Sequence, residues 1–198
     1  SESKVKKMSS ALGKGAETVA KAGGAAMAVA GAAIGKVLFD SVSKYADFEQ
    51  LRDGARKIFS NIDYSAIEAD ANEAYINLNM SASQYLESIN RVGAAFKANM
   101  GDEKAYEVAK QGMTAIADYA SGTGANVAEL NEKYAMITRS TSSYQSIADQ
   151  FSGILPQTSK DFLAQAQAAG LLSTKYEELT QVPVAEYQEA VTAMLERG

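Results

Sequence analysis

The sequence predicts an all-α protein in which a long Ala/Gly-rich helix is followed by a compact domain of several helices. Three observations support this fold class. The 198 residues include only 2 prolines, the residue that interrupts helices most strongly. Apolar residues recur at helical spacing along most of the chain, and no stretch alternates β-branched with polar residues as a half-buried strand does. We place the boundary at residue 60, which gives a helical region over 1–60 and a helical domain over 61–198.

The first helix is predicted to cover much of residues 10–59. At 100° per residue, its large apolar side chains form one stripe and its small residues form an adjoining face. Gly31 and Gly35 have G-x-x-x-G spacing, which lets a second helix approach closely. We predict that this surface contacts another helix, either of the same chain or of a neighbouring copy. Its members are Gly24, Ala28, Gly31 and Gly35 on the small face, and Ile34, Leu38, Tyr45 and Phe48 on or beside the stripe.

The apolar stretch from Ala22 to Phe39 has two other interpretations. Its uncharged part, Ala22 to Gly35, has 14 residues. As a helix it would span about 21 Å, less than the roughly 30 Å hydrocarbon layer of a membrane. Preceding lysines and the small residues of "AVAG" resemble a secretory signal, but Glu17 and Lys21 interrupt the supposed n-region, and the helix pattern continues past the cleavage site. A packed or partner-binding helix is the favoured interpretation, with a membrane-active segment and a signal peptide as alternatives.

Two further helices are predicted from their capping signals. One begins at Asp63, where Ser65 and Glu68 have the spacing of a capping box. The next begins at Ser81, which has the same spacing to Gln84. The large apolar residues of this second helix share one face, and they are Tyr85, Ile89, Val92 and Phe96.

The next two helices are delimited by glycine and asparagine. Gly101 is predicted to end one helix and Asp102 to start another. The stretch "SGTG" at 121–124 is predicted to be a loop, and Asn126 with Glu129 caps the helix after it. The inward residues are Ala105, Ala109, Met113, Ile116 and Ala120 in the first of these helices, and Val127, Leu130, Tyr134 and Ile137 in the second.

The C-terminal third is predicted to contain two helices. A polar connection, "RSTSSYQS" at 139–146, precedes them. Thr158 and Asp161 cap the first helix, which Gly170 ends in a left-handed conformation. Pro183 suits the first turn of the final helix. The inward residues of that helix are Val184, Tyr187, Val191 and Leu195.

The composition argues against enzymatic chemistry. The chain has 0 Cys and 0 His, so it lacks thiolate nucleophiles, zinc–thiolate sites and the commonest general base near neutral pH. The glycines of "SGTGAN" lack the preceding strand and the Lys-Ser/Thr pair of a phosphate-binding loop. The acidic pairs Glu177/Glu178 and Glu186/Glu189 are predicted to be solvent-exposed. We therefore predict no catalytic, cofactor-binding or metal-binding residues.

Charge is distributed unevenly along the chain. Residues 1–39 hold six lysines against two acidic residues, a net charge of +4, whereas residues 40–198 hold 13 basic and 22 acidic residues, a net charge of −9. The acidic body argues against specific nucleic-acid binding. Its tyrosines, among them Tyr85, Tyr106 and Tyr134, are predicted to lie half-buried at the core edge and not to form a base-stacking platform. The basic head suits contact with an anionic membrane, although a solvated terminus is the simpler interpretation.

Four stretches, in this order, resemble the tail tape measure proteins of long-tailed bacteriophages and prophages. "KVLFDSVSKYADFEQLRDGARKIF" (36–59) resembles the segment in which a small-residue helix leads into Tyr-Ala-x-Tyr/Phe-Glu-Gln. "NMSASQYLESINRVGAAF" (79–96) is similar to the Met-Ser-Ala-x-x-Tyr helix that follows. "QGMTAIADYASGTGANVAELNEKYAMI" (111–137) resembles the next helix pair, and "AGLLSTKYEELTQVPVAEYQEAVTAML" (168–194) resembles the end of that region.

The resemblance implies a structural role. Copies of a tape measure protein lie in the tail lumen, template the length of the tail tube during assembly in the host cytoplasm, and leave ahead of the DNA at infection. The implied partners are further copies of the chain and the tube and tail assembly proteins, with transient membrane contact through residues 22–39. Tape measure proteins are far longer, so the chain would be an N-terminal-side fragment without the long heptads of the family. The alternative is a secreted or membrane-active, pore-forming helical protein.

Overall fold

The prediction of an all-α protein is confirmed for the part of the chain that the structure describes. A computed structural model describes residues 46–198, of which 75% are helical and none belongs to a strand. An isolated bridge joins Ser152 and Leu155. The upstream part of the predicted first helix lies outside the described residues, and so do seven members of its predicted interaction surface: Gly24, Ala28, Gly31, Ile34, Gly35, Leu38 and Tyr45.

The chain divides into two compact units, Ser1–Phe48 and Glu49–Gly198. The second unit includes residues 49–60, which the sequence analysis placed with the first helix. The described helices are α1, over residues 46–58, α2 (Tyr64–Asn77), α3 (Ala82–Met100), α4 (Asp102–Thr123), α5 (Val127–Ile137), α6 (Tyr144–Ile147), α7 (Ser159–Ala168) and α8 (Val184–Leu195). Short 3-10 turns lie at Thr141–Ser143, Ala148–Phe151 and Leu179–Gln181.

The helices α3 and α4 form the centre of the second unit. Helix α3 packs against α2, α4, α5 and α8. Helix α4 also packs against α5 and α8. The faces predicted to point inward on both helices are buried. On α5 and α8 the predicted faces are buried except at their first residues, Val127 and Val184, which are half-buried. Burying these apolar faces supplies the main driving force for folding of the unit.

Most of the predicted helix ends are confirmed by hydrogen bonds. At the start of α3, Ser81 Oγ accepts from the Gln84 N–H (3.2 Å) while Gln84 Oε1 accepts from the Ser81 N–H (2.9 Å). This reciprocal pair is a capping box. Asn126 Oδ1 accepts from the first backbone N–H groups of α5, and Thr158 Oγ1 accepts from the Asp161 N–H of α7. These side chains satisfy backbone donors that have no partner within the helix.

The end of α7 is a Schellman motif built on Gly170. This glycine has φ 72°, the left-handed region that side chains disfavour. The Leu171 N–H donates to the Ala166 carbonyl (2.8 Å), and the Gly170 N–H donates to the Gln167 carbonyl (3.0 Å). Both bonds satisfy carbonyls at the end of the helix. The predicted left-handed helix end is therefore confirmed.

The structure corrects the predicted cap of α2. The helix does begin after Asp63, whose Oδ1 accepts from the Ser65 N–H at 3.0 Å. Ser65 therefore lies inside the first turn, where its side chain cannot act as the N-cap. The prediction of a capping box between Ser65 and Glu68 is wrong, because the carboxylate two residues upstream takes that role.

Two predicted connections also contain helix. The stretch 121–123 continues α4, and only Gly124 leaves the helix, with φ 75°. Thr123 Oγ1 donates to the Tyr119 carbonyl (2.9 Å) within this last turn. In the polar connection 139–146, Tyr144 starts the short helix α6 and is fully buried. The prediction for 139–146 failed because its serines were taken as loop signals where the burial of Tyr144 decides the conformation. Residues 121–123 are exposed, and there the helix α4 continues to Gly124 without buried contacts.

The position of α5 depends on Gly112 in the middle of α4. A Cβ at this residue would overlap the ring and hydroxyl of Tyr134. Tyr134 is fully buried, and its ring meets that of Phe96 edge to face with centroids 5.7 Å apart. The absent side chain therefore lets an aromatic ring of α5 lie directly on the backbone of α4.

We expect Gly112→Ala to destabilise the protein by about 1–3 kcal/mol, because the new methyl group overpacks a site with no room for it. Gly122→Ala is the matched control. Gly122 also lies in α4, but a Cβ there has nothing within 4 Å. The control should stabilise the helix by up to about 1 kcal/mol through helix propensity. Urea unfolding followed by circular dichroism measures both changes, and equal stabilities for the two variants would contradict the close contact.

Candidate functional site

The described part of the predicted interaction surface is Phe48, which is half-buried on α1. The neighbouring structure shows how α1 is attached to the second unit, and this attachment is the candidate site. Phe59, directly after α1, is fully buried. A Cβ on Gly93 of α3 would overlap its ring, so the ring lies against the α3 backbone. The ring also meets Tyr106 of α4 edge to face, with centroids 5.1 Å apart.

A lysine side chain caps the C-terminal end of α1. Lys97 of α3 donates from Nζ to the Ile58 carbonyl at 2.6 Å and to the Lys57 carbonyl at 3.4 Å. The last carbonyls of a helix lack intrahelical partners, and the helix dipole makes this end attractive to a cation. Lys97 therefore stabilises the end of α1 from a neighbouring helix.

Asp102 holds the turn that follows α1. Its side chain is 6% exposed. Its Oδ2 accepts from Ser60 Oγ and from the Asn61 N–H, both at 3.1 Å, and its Oδ1 lies 3.2 Å from Lys97 Nζ. Burial acts to raise the pKa of this carboxyl, but the bonds from Asn61, Lys97 and Ser60 and the lysine charge outweigh it, so the pKa is lowered. Asp102 remains ionised and keeps Lys97 in place.

The preceding part of α1 is held by an amide. Asn90 of α3 donates from Nδ2 to the Leu51 carbonyl at 2.9 Å. A Cβ on Gly54 would come within 3.0 Å of the same nitrogen, so glycine leaves room for the amide. Arg52 pairs with Glu49 at 2.6 Å on its own helix and lies 4.0 Å from Glu68 of α2. This end of the attachment is therefore polar.

Sequence reasoning missed these attachment residues. Gly54 and Gly93 interrupt otherwise helical stretches, and an isolated glycine inside a helix is a signal of close backbone approach. Neither glycine was predicted to lie at a contact between helices. Lys97 and Asp102 gave no such signal, because their roles depend on contacts to residues about 40 positions away in the chain.

The structure corrects the prediction that the tyrosines lie half-buried at the edge of the core. Tyr64 and Tyr119 are half-buried, as predicted. Tyr85, Tyr134 and Tyr187 lie inside the core instead of at its edge, with 1%, 0% and 0% of their surface exposed. Tyr106 donates to Asp70 Oδ2 at 2.7 Å, so the 3.0 Å contact between the Tyr85 and Tyr106 hydroxyls has Tyr85 as the donor. Asp70 also pairs with Lys110 at 2.6 Å. The hydroxyls allow complete burial because each finds an acceptor.

The second group of buried hydroxyls joins α8 to the rest of the unit. Tyr134 donates to Thr192 Oγ1 (2.6 Å), which in turn donates to the Gln188 carbonyl (2.8 Å). Tyr187 donates to the Ile137 carbonyl at 2.6 Å. Gln188 Nε2 donates to the Thr138 carbonyl at 3.0 Å and to that of Ala95 at 3.1 Å. These groups therefore satisfy each other's hydrogen-bonding capacity.

The structure places the acidic pairs in contacts near the surface and the glycine turn between two helices. Glu177 and Glu178 are exposed beside a 3-10 turn, Glu186 accepts from the Tyr176 hydroxyl at 3.0 Å, and Glu189 pairs with Lys104 at 2.6 Å. In "SGTGAN" the residues end α4 and cap α5, as a helix–helix turn does.

The described residues also form a surface cleft. A surface cleft of about 710 Å³ lies between the C-terminal half of α4 and the end of α8, with Asp118, Tyr119 and Glu196 in its lining. Within residues 46–198, no group of three acidic, histidine or cysteine side chains is placed to hold a metal ion. No helix in that range is long and apolar enough to cross a membrane.

Comparison of the chain with protein-family models, with curated proteins and with solved structures finds no match.

We expect acid to weaken the attachment of α1 through Asp102. Because its folded-state pKa is lowered, the stabilisation it provides is present above the unfolded value of about 3.9 and is lost as the pH falls through the folded value. Asp102→Asn should lower the urea midpoint at neutral pH, and its difference from the wild type should shrink in acid. Asp118→Asn, at an exposed position of α4, is the control. A pH-independent difference would contradict the proposed role of the carboxylate.

We expect the buried tyrosines to ionise only as the protein unfolds in alkali. Burial raises the pKa of each, and the five are Tyr85, Tyr106, Tyr134, Tyr144 and Tyr187. Their contribution to stability is complete below the unfolded pKa of about 10 and is lost as the pH rises above it. Tyrosinate absorbance from half of the 10 tyrosines should therefore appear together with the loss of helical circular dichroism. Ionisation of all of them in the folded protein would refute this.

Proposed function

We propose that the chain is part of a non-enzymatic structural component of a bacteriophage or prophage tail, similar to the tape measure protein. The proposal rests on one observation, the presence in order of four stretches that resemble that family: 36–59, 79–96, 111–137 and 168–194. In this proposal the protein lies in the tail lumen and templates the length of the tail tube.

The contacts between these stretches support the proposal. Phe59 of the first stretch lies on Gly93 of the second. Phe96 of the second meets the ring of Tyr134 of the third at 5.7 Å. The Tyr134 hydroxyl lies 2.6 Å from Thr192 Oγ1 of the fourth. Each stretch therefore holds the next by a buried contact, so the resemblance involves residues of one core.

The charge distribution is compatible with a role beside DNA. Residues 40–198 have a net charge of −9, and like charges repel the phosphate backbone. A lumen component with this surface would not retain DNA as it passes. The proposed partners are therefore proteins, namely further copies of the chain and the subunits of the tail tube.

The test is the length of tails assembled with variants of the complete reading frame. Gly112→Ala, which disturbs the core contact with Tyr134, should reduce tail yield or broaden the length distribution seen by electron microscopy. Gly122→Ala should leave both unchanged, since its Cβ meets no other atom within 4 Å. Deleting the reading frame should abolish tails of uniform length. Normal, uniform tails after deletion would refute the proposal.

A leakage assay separates the proposal from the membrane-active alternative. Vesicles of anionic phospholipid with a trapped dye are exposed to the intact chain and to a chain that lacks residues 1–40. A pore-forming protein would release the dye only with the basic, Ala/Gly-rich segment present. Leakage of this kind, with no effect of deletion on tails, would replace the tail function by the alternative.

A further inference from the structure

The attachment of α1 is strong at one end. Phe59 is fully buried between Gly93 and the Tyr106 ring. Lys97 caps the last carbonyls of the helix, and Asp102 binds the turn that follows. We call these contacts the anchor. They combine a buried aromatic ring with satisfied, charge-assisted hydrogen bonds, which are stronger than neutral ones.

The other end of the attachment is poorly satisfied. Four buried side-chain atoms of the described residues have no hydrogen-bond partner, and three of them lie here: Arg52 Nε, Tyr64 Oη and Asn90 Oδ1. Leaving such an atom buried without a partner costs free energy that exposure to water would recover. Arg52 and Arg56 lie over the Tyr64 ring, at 5.4 and 4.5 Å from its centroid, a cation–π contact that by itself favours the docked position. The penalty of the docked position comes from the three unpaired atoms, which lie where α1 meets α2 and α3.

Little apolar burial opposes that penalty. Across residues 49–58, Ala55 is the one fully buried residue, and its side chain is a single methyl group. By contrast, α3 and α4 bury large apolar side chains along their whole length. Segments with few buried apolar contacts open at lower free energy than the global unfolding of a protein.

We propose that residues 49–56 of α1 form a lever that leaves the surface of α3 while the anchor stays closed. Opening gives water access to Arg52, Tyr64 and Asn90, and it uncovers Ala55. The N-cap of α2 is unaffected, because the Asp63 carboxylate accepts from Ser65 within its own helix.

The absence of cysteine allows a direct test. Ala55→Cys places a single thiol under the lever, and Ala109→Cys places one in α4. Both alanines are 0% exposed. In native buffer, a thiol reagent should modify Ala55→Cys at least about tenfold faster than Ala109→Cys, because only the first is reached by local opening. Circular dichroism first verifies that both variants are folded.

A second substitution tests the cause of opening. Tyr64→Phe removes an unpaired hydroxyl and keeps the ring, so it should favour the docked state and slow modification of Ala55→Cys about fivefold or more. Tyr119→Phe is the control, since its hydroxyl donates to the Ser152 carbonyl (3.0 Å) away from α1. Equal modification rates for the two thiols would overturn the lever, and so would a rate at Ala55→Cys that Tyr64→Phe leaves unchanged.

Discussion

The fold of the second unit depends on two places where a helix lacks a side chain. At Gly93 the ring of Phe59 lies on the backbone of α3, and at Gly112 the ring of Tyr134 lies on the backbone of α4. Each ring also contacts a second aromatic ring, Tyr106 and Phe96 respectively. Because protein interiors are close-packed, a methyl group at either glycine would displace not one ring but a pair. The end of α1 and the position of α5 are therefore fixed by the missing side chains at Gly93 and Gly112.

Hydrogen bonds from buried hydroxyl and amide groups then fix how α8 is aligned with α5. Tyr187 and Gln188 of α8 donate to the carbonyls of Ile137 and Thr138, which lie at the end of α5. Carbonyls at the end of a helix lack intrahelical partners, so α8 completes the hydrogen bonding of α5. A shift of α8 by one residue would leave both donors and acceptors buried without partners, at a cost that apolar packing alone would not impose.

Sequence reasoning succeeded at most helix ends, where the partners lie within a few residues, and failed where contacts between distant residues decide the structure. It also failed at Ser65, where the local cap is Asp63. The capping box at Ser81 and the left-handed Gly170 were readable because their partners lie within a few residues. Tyr144 was assigned to a polar connection because serines surround it, and its burial depends on contacts with Phe162 and Tyr187 much later in the chain. The attachment of α1 was missed for the same reason. Of the predicted interaction surface, only Phe48 lies in the described residues, and the contact predicted for it remains a prediction.

The distribution of polar groups separates the interior of this unit from its edge. In the interior, tyrosine, threonine and glutamine side chains are hydrogen-bonded to one another and to helix carbonyls, so they hold the helices together. Among residues 46–198, three of the four unpaired buried side-chain atoms lie where α1 meets α2 and α3. A unit built in this way keeps its core when its edge moves, since the edge contributes little of the buried apolar surface that stabilises the fold.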